Sequence, residues 1–124
     1  MTSTVRSLAP QYPVIEVTHV GKVTSGDLRE SSAEVFRLAK DMGTFHVLTD
    51  CSELTEGPDD IALLALGNLL RDLPAGAGFR QALLWPKDAE ARLSVDFWRT
   101  AEADLGVSVK LFSGRDAAIE WLTA

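Results

Sequence analysis

The chain has 124 residues, 46% of them apolar, which is enough for one domain with a real core and no need of disulfides or metal. Its formal net charge of -6 excludes a phosphate-binding basic footprint, and with it nucleic acid or an anionic membrane surface as partner. A single cysteine, Cys51, cannot form an internal bridge, and no window approaches the length of a membrane span, so the reading is a cytoplasmic protein without a signal peptide that is not integral to a membrane.

Residues 1–12 read as a hairpin edge strand or a loose tail, closed by the turn signal Pro10-Gln11-Tyr12-Pro13. Val14 to Val20 is a β-branched run and reads as a strand ended by Gly21. Thr24-Ser25-Gly26-Asp27 is a capping box with Asp in place of Glu. From it Leu28, Val35, Phe36, Ala39 and Met42 recur at helical spacing until Gly43.

Phe45 to Asp50 is a short apolar strand of the kind buried in a parallel sheet, and it delivers Asp50 to a loop containing Cys51, Ser52, Glu53, Thr55 and Glu56. A helix is then expected from Pro58, with Gly57 as N-cap and Asp59 and Asp60 against the positive end of its dipole. Ala62, Leu63, Leu66, Leu69, Leu70 and Leu73 fall in one sector and form its core face. Ile61, Leu64 and Ala65 lie outside that sector, beside Asn68 and Asp72, so the helix carries more apolar surface than one packed stripe requires.

Leu73 to Gly78 reads as a linker, with Gly76-Ala77-Gly78 only a fragment of a phosphate-loop pattern that precedes a strand rather than a helix. Phe79 to Trp85 is the next strand. Asp88 caps a third helix in which Leu93, Phe97, Ala101 and Leu105 line up, with Trp98 at the border of the stripe, where it is expected to line any groove. Val107 to Phe112 alternates as a strand, and Ser113-Gly114-Arg115-Asp116 opens a short terminal helix from Ala117 to Leu122. Strands alternating with helices give an α/β fold, a mixed, mainly parallel sheet of about five strands with about four helices in a single domain spanning 1–124.

The order of elements resembles the STAS domain of anti-sigma factor antagonists, and more closely its stand-alone SpoIIAA-like branch, whose fold is similar to the lipid-transfer CRAL-TRIO fold. The resemblance is carried by Gly21 with Val23-Thr24-Ser25-Gly26-Asp27, by Val47-Leu48-Thr49-Asp50, and by the ending Phe112-Ser113-Gly114-Arg115-Asp116-Ala117-Ala118-Ile119-Glu120-Trp121-Leu122. It implies a protein-interaction module whose partner kinase phosphorylates a serine at the start of the second helix. Asp50 fits the strand-end acid of that pattern. Pro58-Asp59-Asp60 offers no hydroxyl at the helix start, so a phosphate would have to sit on Ser52 or Thr55.

No reaction motif is present. His46 lies five residues from Cys51 on the opposite side of a strand, and His19 stands in no motif, so a Cys51 nucleophile lacks a base and an enzyme reading stays a remote alternative. Two histidines and one cysteine at no ligand spacing do not suggest a metal, and no cofactor is implied. The expectation is a non-catalytic binding module, a homodimer or partner of another protein through the second helix. Ile61, Leu64, Ala65 and Asn68 form its patch, and Glu56, Asp59 and Asp60 its acidic rim. A carrier of a lipid or small apolar ligand, with a pocket between the second and third helices and the sheet, is the alternative.

Overall fold

The computed structural model describes residues 3–74 and 78–124. The elements run β1 (Ser3–Ser7), β2 (Ile15–Lys22), α1 (Ser25–Met42), β3 (His46–Glu56), α2 (Asp60–Arg71), β4 (Arg80–Leu84), α3 (Ala89–Asp104), β5 (Val109–Phe112) and α4 (Arg115–Thr123). The strands form one sheet in the order β1-β2-β3-β4-β5, with β1 antiparallel to β2 and the remaining neighbours parallel. β1 is the edge strand and pairs antiparallel with β2, with Ser3 opposite His19 and Ser7 opposite Ile15.

Each crossover steps to the adjacent strand in the same direction, so connections of one hand stack their helices on one face. The two principal cores show this division. Leu28 of α1, Leu63 of α2 and Ala91, Val95 and Trp98 of α3 close over Cys51, Leu54 and Leu83, whereas Ala118, Ile119 and Leu122 of α4 cover Leu48, Ala82 and Leu84 from the other side. Alternation along the strands sorts the residues between the two faces.

Capping sets the helix starts. Thr24 Oγ1 accepts from the Asp27 N–H at 3.1 Å and Asp27 Oδ2 accepts from the Thr24 N–H at 3.0 Å, the reciprocal capping box expected from the sequence. Asp88 Oδ1 accepts from the N–H groups of Glu90 and Ala91 and starts α3. The terminal helix differs from expectation: its N-cap is Gly114, with no side-chain cap bond.

Two boundaries around α2 also differ. The segment from Asp50 to Glu56 is not a loop but the second half of β3, because β2 runs on to Lys22 and offers its backbone as far as Glu56. Register shifts in that pairing break the simple alternation, which is why Ser52, Glu53, Thr55 and Glu56 read as loop residues. The helix begins after Asp59 rather than at Pro58. Asp59 Oδ1 accepts from the Ala62 N–H at 2.8 Å, a cap that Gly57, without a side chain, cannot provide. Pro58 is buried just ahead of the cap.

Candidate functional site

Helix α2 rests on α3 and, by its backbone, comes far less close to the strands. Leu63, Gly67 and Leu70 make its buried stripe, and Gly67 is what lets the two helices approach: a Cβ there would lie 3.0 Å from Leu105 Cδ1 and 3.9 Å from the Ala101 carbonyl oxygen. That stripe is narrower than the core sector expected from the sequence. Leu69, assigned to the core, is 50% exposed, together with Ile61 at 80% and Leu64 at 43%. Ala65 and Asn68 are exposed as well, the Asn68 amide donating to the Leu64 carbonyl at 3.0 Å.

Because α2 leans on α3, a cleft of about 510 Å³ opens between α2 and α1. Ile61, Ala62, Ala65, Leu66 and Leu69 line one wall, successive turns of a single helical face. Leu28, Arg29, Ser32, Ala33 and Phe36 line the other at the same helical spacing. Asp59 stands at the mouth. Where a pocket was expected, between the second and third helices and the sheet, there is a small cavity of about 40 Å³, while the larger opening lies on the α1 flank because α2 and α3 are packed together. Volumes of this size are typical of sites that bury a small molecule or an anchoring side chain.

The sequence-derived candidates divide into three groups. Asp59, Ile61 and Ala65 belong to the cleft, with Leu64 and Asn68 on the adjoining outer surface of α2. Thr55, Glu56 and Asp60 line a separate depression with Gly57, Glu90 and Leu93. Leu93, expected in the core, is 76% exposed there, since Ala91, Val95 and Trp98 form the buried stripe of α3. Asp50 and Ser52 alternate onto the sheet face opposite Cys51, away from α2, with Asp50 Oδ1 accepting from the Ser52 N–H at 2.9 Å. Glu56 pairs with Lys22 at 3.1 Å, an exposed contact worth little.

Trp98 does not line an open groove. It is 1% exposed and forms part of the wall of a small cavity of about 40 Å³ beneath the cleft, together with Leu66 and Leu70 from α2 and Val17, His19, Thr49 and Gln81 from the sheet. The sequence reading missed this polar floor. Trp98 Nε1 donates to Glu102 Oε2 at 2.5 Å, and Gln81 Nε2 donates to Thr49 Oγ1 at 2.7 Å. Glu102 is fully buried, and burial, opposed only by the Trp98 hydrogen bond, raises its carboxyl from the ordinary 4.5 to about 8. The His19 ring lies 5.8 Å from the Trp98 ring, tilted by 46°, and hydrogen-bonds Ser3 Oγ through Nδ1 at 2.7 Å; burial lowers it from 6.5 to about 4 against the pull of Asp27 and Asp50. One signal for Glu102 was available: Ala91, Val95, Trp98 and Glu102 follow one helical stripe.

Cys51 is buried, and burial, with the Asp50 charge adding to it, pushes its thiol well above the ordinary range, the reverse of what activates a nucleophile. Among the described residues no group of three or more His, Cys, Asp or Glu side chains is placed to hold a metal ion, and no helix is long and apolar enough to cross a membrane. Residues 75–77, which carry most of the Gly76-Ala77-Gly78 fragment, lie outside the described residues.

Neither a protein-family model nor a curated protein matches the sequence. Among solved structures, an uncharacterised DUF3478-family protein with a SpoIIAA-like fold from Shewanella loihica PV-4 is similar over 97% of this chain and 91% of its own. The TM-score is 0.61 and the sequence identity 19%. At that identity the likeness establishes the fold: this is an α/β domain of SpoIIAA-like architecture.

Proposed function

We propose that the chain is a non-catalytic, cytosolic binding module that pairs with a second copy of itself through α2, without a phosphoserine switch. The observation that carries this reading is the exposure of Ile61, Leu64 and Leu69 on one twelve-residue helix. Three large aliphatic side chains left in water on adjacent turns, beside an open apolar cleft, make a patch that association would remove from solvent. Asp59 and Asp60 border it with negative charge, and Asp59 already serves as the N-cap, which leaves no hydroxyl at the helix start to receive a phosphate.

Sedimentation and light scattering test the reading. A dimer is expected for the wild type at tens to hundreds of micromolar, and a monomer with unchanged melting temperature for Leu64→Asp. A wild type that stays monomeric at the highest concentration refutes self-association.

A second reading draws on the volume and lining of the cleft, which suit a small apolar ligand held between α1 and α2. Native mass spectrometry of protein purified under mild conditions would detect the added mass. A bare chain that also fails to take up a fluorescent fatty-acid probe removes this alternative.

A further inference from the structure

Helices α1 and α2 each link two neighbouring parallel strands, so they run side by side in one direction. The cleft between them therefore has one end at Ser25 and Asp59, where both helices start, and the other at Phe36 and Leu69. Its walls differ in chemistry. The α2 wall is aliphatic, with Ile61, Ala65 and Leu69 on successive turns. The line of α1 that faces it is Ser25, Arg29, Ser32 and Phe36, spaced i, i+4, i+7 and i+11, which at about 100° per residue keeps the four within roughly 60°. Two packed helices would set apolar side chains on that line. Here hydrogen-bond donors fill its first three positions and an aromatic ring the last.

The donors are unpartnered. Every other arginine of the chain has an ion pair or donates to a carbonyl oxygen, and Arg29 alone does neither among the described residues. Its guanidinium lies back over the first turn of α1, where a Cβ added to Gly26 would come 3.9 Å from Nη2. The hydroxyls of Ser25 and Ser32 likewise bond to no described residue. Across the cleft Asp59 keeps one oxygen on the Ala62 N–H, and its charge turns an incoming anion towards α1. The net charge of -6 weighs little at this range, since distant charges are screened beyond about 8 Å at physiological ionic strength.

We propose that this cleft binds an amphipathic monoanion of the medium-chain carboxylate class. The carboxylate takes the planar fork of the Arg29 guanidinium, the Ser25 and Ser32 hydroxyls donate to its remaining lone pairs, and the tail lies between Phe36 and the aliphatic wall of α2. From Arg29 to Phe36 helix α1 rises about 10 Å, which sets the length of tail that the cleft covers. One guanidinium facing Asp59 neutralises one charge, so a phosphate monoester, with close to two, is a poorer fit. Such an acid specifies the ligand class of the apolar-ligand reading above, on which the site rests, and is independent of self-association.

Calorimetric titration with decanoate and with decyltrimethylammonium, both as dispersed monomers and at low micromolar protein, separates head group from tail. Decanoate is expected to bind at least about tenfold more tightly than the cation. Arg29→Gln should weaken decanoate about tenfold and leave the cation unaffected or slightly tighter. Arg29 is exposed and unpaired and glutamine is a comparable helix former, so the variant keeps its fold. Ala65→Phe, which fills the cleft from an exposed position, should remove decanoate binding.

Nitrogen–proton NMR of the wild type locates the ligand without any variant: decanoate should shift the Arg29 Nε–H resonance and the amides of α1 and α2 along the cleft. Equal affinity for the two probes, or unchanged decanoate affinity in Arg29→Gln, would overturn the monoanion site and leave an apolar-ligand cleft standing. Shifts confined to other parts of the chain would overturn it as well. A wild type that takes up neither probe would remove the site together with the apolar-ligand reading.

Discussion

Leu63 and Ile61 sit two residues apart on α2, and truncation to alanine removes the same three carbon atoms from each. Leu63 has no exposed surface and packs in the cluster that holds Cys51, Leu54, Leu83, Val95 and Trp98, whereas Ile61 is 80% exposed. At about 0.8 kcal/mol per buried methylene, Leu63→Ala loses about 2.4 kcal/mol of transfer free energy. The void it leaves between α2 and the sheet raises the total to about 3 to 4 kcal/mol. For a chain of this length that lowers the melting temperature by roughly 10 to 15 °C. Ile61→Ala removes carbons that already face water, and alanine is the better helix former, so the stability of the monomer should change by less than about 0.5 kcal/mol. Urea unfolding at low micromolar concentration, below any association, measures both. A loss above about 1.5 kcal/mol for Ile61→Ala would mean that the residue is covered within the monomer, and the case for α2 as a binding face would fall with it.

Two buried titrating groups give opposing pH dependences. His19, lowered to about 4, stabilises the fold fully above its ordinary 6.5 and loses that contribution as pH falls towards 4; Glu102, raised to about 8, contributes fully below 4.5 and loses it as pH rises to 8. Between 4.5 and 6.5 the slopes offset, and from 6.5 to 8 only the decline from Glu102 remains, at up to about 1.4 kcal/mol per pH unit. Urea midpoints measured from pH 4 to 9 should show that decline in the wild type, while His19→Gln should lose stability less steeply on the acid side; a wild-type profile flat from 6.5 to 8 contradicts the burial of Glu102 as described. Cys51 should alkylate with iodoacetamide at least about a hundredfold more slowly in the native protein than in urea, because it is both covered and held as the thiol. Rapid native alkylation would reopen the nucleophile reading.

Which parts of the fold are legible in the sequence follows from how local their causes are. The Thr24 box and the Asp88 cap are decided within a few residues, and each forms where its pattern places it; the β-branched run of β2 also forms a strand, which continues through Gly21 to Lys22 rather than ending there. The second half of β3 is different: Ser52, Glu53, Thr55 and Glu56 have the composition of a loop, and only pairing with Val20 to Lys22 of β2 holds them extended. Trp98 and Leu93 exchange the roles expected of them, because a helical wheel ranks positions by hydrophobicity, whereas the side of α3 that is covered depends on where α2 and the sheet lie.

The surplus of apolar residues on α2 is a property of composition and periodicity, and so are the helix–strand alternation and the mainly parallel sheet it implies. Where that surplus ends up is a matter of tertiary packing. Gly67 draws α2 onto α3, α1 is left standing apart, and Leu69 is thereby moved from the expected core to the wall of a cleft whose other wall, Arg29, Ala33 and Phe36, comes from a helix some thirty residues earlier. The same close approach seals Glu102 from water beside Gln81 and Trp98. Burial and proximity between distant segments are sums over the whole molecule, and a local pattern of residue types does not contain them.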